Sequence, residues 1–425
     1  MTRLLTLCAF IAACAPLQRG DSPPLYFPLS MTLLDDKLAV ISTNADARFD
    51  AGQLLVIDAA GASGQLERRQ NADKPASRRE VMLQPHLAAR TNVPAFADAP
   101  LVRDGWLWFT HRADAEIWAV PVQEGTIACT PGKVEQACGP RTRRLQLGED
   151  DPAKLIALTH PSGGHVGVVG SARSDRLQTF HMRSSGELNV WRTYPLTEIL
   201  APEERKKEPR KRVRKPVFRI RDLIRVGQGP DGLVAVAVET LAHKGSVRAV
   251  YSSYLLLLPT VSLLSGANLN SAHVRVIDLH DLTGARAVRA LAASPNGEHL
   301  FVAQQRPDVL ARIDLARGGK NPLAAVAATL CHHPADVQVA QSGGVYVACY
   351  GNDTIQRHDP ETLDVRSRAR IYKSGVARLL LDPRSDRLYA SSLLDDNVMV
   401  FRASNLQLLG RIVSQHQVER EGRKR

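Results

Sequence analysis

Along most of the chain, apolar runs of about four to eight residues are cut by Gly, Pro, Asp and Asn, which is the pattern of strands and tight turns rather than of helices. Three stretches near the C-terminus superimpose: 293–303 (ASPNGEHLFVA), 340–348 (AQSGGVYVA) and 381–390 (LDPRSDRLYA). Each joins a strand end through a turn to a short apolar strand with an aromatic at the same place. A further strand follows each one, at 311–315, 354–359 and 397–401. Phe301 and Tyr346 are 45 residues apart, and Tyr346 and Tyr389 are 43 apart.

The same grammar recurs upstream with decay. Copies begin at Met31, Leu101, Leu155 and Ile224, with companion strands at 54–58, 116–120, 177–180 and 274–279. A repeat of this length is one four-stranded blade, so the chain is expected to be all-β, a seven-bladed β-propeller of four-stranded antiparallel blades. Setting aside inserts near 61–96, 124–150, 200–217 and 250–270, the span 25–412 allows about 41 residues for each of seven blades. The expected organisation is one propeller over 25–415 and a basic tail over 416–425. The run from Tyr251 to Leu264 is interrupted by Pro259, too short for a membrane span, and reads as two buried strands around a turn.

The last three copies, with Leu38-Ala-Val-Ile-Ser-Thr-Asn44, resemble the bacterial YVTN-type propeller repeat, whose pattern is a Pro-Asp-Gly-like turn, a Leu-Tyr-Val-Thr-Asn strand and a Val-Ile-Asp strand. The resemblance is strong in four copies and weak between Leu101 and Leu279. It implies the same ring fold. Catalytic residues of the lactonases and quinoproteins that share such folds do not map onto any motif here.

The N-terminus alters where this propeller is expected to work. Met1-Thr2-Arg3 is a short positive start, and Leu4 to Ala13 is an apolar stretch too short to span a membrane permanently, so 1–13 reads as a secretory signal. Ile11-Ala12-Ala13-Cys14 resembles the bacterial lipobox, which implies cleavage before a lipidated Cys14 and a polar, Pro/Gly-bearing tether over 14–24. The expected location is the cell envelope, periplasmic or surface-exposed. Ala15, rather than Asp, after the cysteine favours the outer membrane.

With 44% hydrophobic and 23% charged residues the mature body is expected to be folded and water-soluble. The net charge of +12 is concentrated: seven of those charges lie within 203–215 and 419–425. The run of Arg205, Lys206, Lys207, Arg210, Lys211, Arg212, Arg214 and Lys215 would suggest nucleic acid in a cytosolic chain. In an exported one it reads as a solvated loop facing lipid phosphates or acidic glycans, and no nucleic-acid partner is expected.

Of six cysteines, Cys8 leaves with the signal and Cys14 carries lipid. Four remain, and an oxidising compartment suits their pairing. Proximity favours Cys129–Cys138 and Cys331–Cys349 among three connectivities; the alternative for the second pair is a Cys/His metal site with His332 and His333. Adjacent histidines in an extended segment point apart, so no metal and no cofactor are expected. Asn44, His111, His332, Asp336 and Asn352 stand at or beside strand ends as candidates for a binding face, against the competing reading that such residues cap turns. Two functions stay open: a lipid-anchored platform for an envelope protein, glycan or other ligand, and a periplasmic propeller enzyme, either a lactonase-like hydrolase or a cofactor-dependent oxidoreductase.

Overall fold

The computed structural model describes residues 24–43, 51–69, 75, 79–130, 138–148, 151–183, 185, 187–200, 217–229, 231–244, 247–269, 274–315 and 325–422. The expected signal 1–13, Cys14 with all but the end of the expected tether, Asn44, the basic run 205–215 and the last three residues of the chain lie outside them. Seven antiparallel sheets form seven blades in chain order. The innermost strands are Pro28–Leu34, Ala97–Arg103, Pro152–Thr159, Val217–Val226, Ala287–Ala293, Pro334–Val339 and Val376–Asp382. Neighbouring innermost strands touch in sequence, and the seventh touches the first, so the ring is closed.

The core lies between blades. Because successive side chains of a strand leave on opposite faces, the second strand of blade 2 sends Phe109 towards blade 1 and Trp108 towards blade 3. That is why second strands such as Leu107–Thr110 read as unbroken apolar runs: both faces are covered. Turn chemistry closes the hairpins, as at Asp104-Gly105, where φ values of 51° and 75° supply the two left-handed positions that join Arg103 to Trp106.

The same logic corrects the reading of 250–270 as an insert. Val247–Pro259 is the third strand of blade 4, followed by the short helix Thr260–Leu264. Leu255 and Leu257 pack towards blade 5 while Leu256 and Leu258 pack towards blade 3. A strand buried on both faces shows no alternation, so its sequence hid its identity. The strand at 274–279 is accordingly the outer one, Arg275–Asp278. Two other stretches set aside as inserts also contain outer blade strands, Leu87–Val93 and Arg143–Gln146.

What the 61–96 stretch adds is a clasp. After Asp58 the chain forms the helix Ala59–Arg68, whose start is capped by the Asp58 carboxylate accepting from Gly61 N–H at 2.8 Å. It then lays strand Glu80–Met82 parallel to Gln407–Val413, the outer strand of blade 7. Ala62, Leu66, Val81 and Leu83 share one cluster with residues of blades 1 and 7. Ser63 meets the Tyr389 hydroxyl at 3.3 Å, and Glu67 pairs with Arg387. Gly410 is required by contact: a Cβ there would sit 2.5 Å from Arg79 O and from Leu66 Cδ2.

Both disulfides favoured by proximity are formed, Cys129–Cys138 and Cys331–Cys349. The second ties the entry of blade 6 to the end of its second strand. Replacing Cys331 and Cys349 with alanine is expected to cost about 2–4 kcal/mol by freeing the unfolded chain. Urea unfolding measures that loss, and thiol titration of denatured, unreduced wild type should find no thiols beyond Cys8 and Cys14.

Candidate functional site

All seven innermost strands carry an irregularity in their pairing near the start, between Pro28 and Ser30, Asp98 and Leu101, Pro152 and Lys154, Ile220 and Asp222, Val288 and Ala290, Pro334 and Asp336, and Val376 and Arg378. A bulge re-aims the extra side chain. Here Arg221 and Arg289 are the bulged residues, and both line the mouth of the central channel together with Lys154 and Arg378 from other innermost strands. Arg112 and Arg306 reach the same mouth from the loops that leave second strands. The cavity they bound is about 640 Å³, and its described lining sets six cationic side chains against the carboxylates of Asp98 and Asp308.

Some of these charges are already matched from behind. Arg112 is bonded to Asp151, Lys154 Nζ lies 3.4 Å from the buried Asp222, and Arg221 shares the fully buried Glu239 with Arg219. Arg289 and Arg306 form no ion pair among the described residues, and the buried Arg289 Nε has no hydrogen-bond partner. Burial pulls the Arg221 guanidinium down to about 10, and the neighbouring cations Arg289, Arg219 and Arg112 pull in the same direction against Glu239. Arg289 is lowered too, first by burial, with Arg219 and Arg306 adding to it against Glu239 and Asp308. At neutral pH both stay charged, so like charges are held together in partial burial and an anion entering the mouth would relieve that repulsion.

The residues singled out from sequence divide. His332 lines the mouth, with Nδ1 2.9 Å from Asp308, which also accepts from His333 N–H. The expectation that the two imidazoles diverge is overturned: His333 has a φ of 52°, and the rings face one another with centroids 3.9 Å apart. Asp336 lies behind the wall. Its buried carboxylate accepts from Leu379 N–H of blade 7 at 2.8 Å, as Asp222 of blade 4 accepts from Leu291 N–H of blade 5. These carboxylates staple innermost strands that have no ladder between them. His111 is buried beside Arg112 but faces Asp114 and Glu116. Asn352 sits in the 3-10 turn Tyr350–Asn352, where its carbonyl accepts from the Thr354 hydroxyl at 2.9 Å, and is not part of the lining.

The cationic ring itself escaped sequence reasoning. Blades 3, 4, 5 and 7 each place a basic residue a few positions into the innermost strand: Lys154, Arg221, Arg289 and Arg378. Aligning the repeats on the bulge of their innermost strands, rather than on the turn before the second strand, places Arg221 and Arg289 in one position and Lys154 and Arg378 in the next.

Among solved structures, the chain is similar to Kuenenia stuttgartiensis hydrazine synthase, with 13% identity over 90% of this chain and 97% of that one and a TM-score of 0.56. It is also similar to the Dos1 propeller, with 11% identity over 93% and 90% and a TM-score of 0.52. At such identity the likeness shows the propeller fold alone, which these comparisons and the seven sheets establish. No protein-family model matches the chain, and no curated protein matches it in sequence.

Proposed function

We propose that this protein is a lipid-anchored propeller of the bacterial cell envelope that acts as a binding platform, and that the mouth of the central channel takes a small ligand, or an exposed group of an envelope partner, carrying carboxylate or phosphate. The observation that carries the reading is the set of six cationic side chains converging on one cavity, with Arg289 and Arg306 in no ion pair among the described residues. Guanidinium groups suit this role because their planar donors match carboxylate and phosphate oxygens in pairs. A volume of about 640 Å³ falls in the range of small-molecule sites. The enzyme reading gains only the likeness to hydrazine synthase, which speaks to fold.

Citrate and inorganic phosphate serve as probes. Calorimetry on the detergent-solubilised full chain is expected to show saturable binding that weakens as salt rises, and the double substitution Arg221→Ala, Arg289→Ala should lower affinity at least tenfold, since a charged hydrogen bond contributes about 1.5–3 kcal/mol. Equal affinity in the double variant, or no saturable binding of either anion, would remove the mouth as the site. The anchor is tested separately. Cys14→Ser is expected to move the protein from the membrane to the soluble fraction, and labelled palmitate should enter the wild type and not this variant.

A further inference from the structure

We propose that the hairpin joining the second and third strands of blade 2 is a binding site for a divalent transition-metal ion of zinc's class, held by His111, Asp114 and Glu116. His111 and Glu116 face one another as cross-strand partners, and Asp114 reaches back from the turn between them. One ligand atom from each residue lies within 4.8 Å of the others. His111 Nδ1 is 3.2 Å from Asp114 Oδ2 and 3.9 Å from Glu116 Oε2.

The histidine separates this trio from an ordinary acidic turn. His111 is only 4% exposed, and its Nδ1 is buried with no hydrogen-bond partner even though it is directed at two carboxylates. An orphaned buried nitrogen costs about 1–3 kcal/mol, and a cation accepted between it and the two carboxylates removes that cost. The carboxylate of Glu116 is already oriented, because Trp118 Nε1–H donates to its Oε2 at 2.8 Å, the kind of outer contact that fixes metal ligands. Ligand atoms around four-coordinate zinc stand roughly 3.4 Å apart, given bonds of about 2.0–2.2 Å. The adjustment this demands falls on Asp114, whose side chain is 69% exposed and free to swing inwards.

The donor set chooses the class. One imidazole nitrogen with two carboxylate oxygens is too nitrogen-bearing for calcium or magnesium and lacks the thiolates that select copper(I); zinc is suited by all three donors. Two carboxylates and a neutral imidazole match the charge of a divalent ion, and a single hairpin leaves the remaining coordination position to water. The sequence expectation of no metal here rested on the Cys/His cluster of blade 6 and did not consider His-x-x-Asp-x-Glu across a turn.

Zinc chloride is the probe, titrated into chelator-treated full-length protein in detergent against a chromophoric chelator. The wild type is expected to bind one zinc ion per chain saturably, with a rise in thermal midpoint as zinc is added. Asp114→Ala, a change at an exposed turn position, should weaken binding at least tenfold while leaving the zinc-free midpoint in place, and Glu116→Gln should weaken it likewise. His111→Ala should abolish binding; should that variant misfold, the Asp114 result still decides. Absence of saturable binding, zinc affinity unchanged in both Asp114→Ala and Glu116→Gln, or tighter binding of calcium than zinc would overturn the assignment. None of these outcomes bears on anion binding at the channel mouth.

Discussion

Leu66→Ala is expected to lower the unfolding free energy by about 3 kcal/mol although Leu66 belongs to no blade. Its side chain is fully buried between the clasp helix and blade 7, and truncating a buried leucine at such a site costs about 2–5 kcal/mol through lost transfer energy and the cavity left behind. The location of the damage is as telling as its size. A propeller opens most readily where its last blade meets its first, and here the blade 1 excursion 59–83 bridges that joint. Gly410→Ala attacks the same joint from the other side, because its new methyl carbon would meet Arg79 O and Leu66. Chemical denaturation gives the energies, and limited proteolysis between Arg69 and Glu80 should become faster in both variants. Unchanged stability in both would show that the ring closes without the clasp.

Asp336→Ala is also expected to destabilise the fold, by about 1–3 kcal/mol, the range for leaving a buried hydrogen-bond donor without its acceptor. The substitution strands Leu379 N–H and removes the carboxylate that most favours the charge on Arg378. Asp336→Asn separates the two losses, because its amide oxygen still accepts from Leu379 while the charge is gone. The pH dependence has a definite sign. Burial raises the Asp336 carboxyl above its ordinary value, with Arg378 and Lys154 opposing, so the folded state holds this proton more tightly than the unfolded chain does. Its contribution is fully present below the ordinary carboxylate value and is lost as pH rises through the raised one. Stability of the wild type relative to Asp336→Asn should therefore decline over that window and be flat above it. A rise with pH would contradict the burial argument.

The blades were legible where turn residues and alternation coincide, as at Asn296-Gly297 and Asp382–Asp386, since a turn and a half-buried strand each leave a local mark. The Leu255–Leu258 strand was not legible, because two-sided burial erases the alternation on which the reading depends. The disulfides were within reach because their partners are close in the chain. The channel mouth was harder for a different reason. Arg112, Arg221, Arg289 and Arg306 come from blades 2, 4 and 5, and only ring closure makes neighbours of them. Asp336 looked like a face residue by position, yet its carboxylate is committed to a backbone N–H of the adjacent blade. His111 stood out as a strand-end candidate for a binding face, but its partners Asp114 and Glu116 lie across the turn and were not weighed with it.

The short parallel strand Glu80–Met82 also bears on how molecules of this protein keep apart. The outer strand of blade 6, Val365–Arg370, carries Arg366, Arg368 and Arg370, and charge of that density discourages another chain from adding a strand. Blade 7 has only Arg411 along Gln407–Val413 and would offer a bare, largely aliphatic edge as a template for intermolecular pairing. Glu80–Met82 occupies that edge from within the same chain. Nicking the chain between the helix and Glu80 would thus do more than loosen a ring: it would uncover a margin that carries a single charge, and high protein concentration would favour strand exchange between neighbouring molecules.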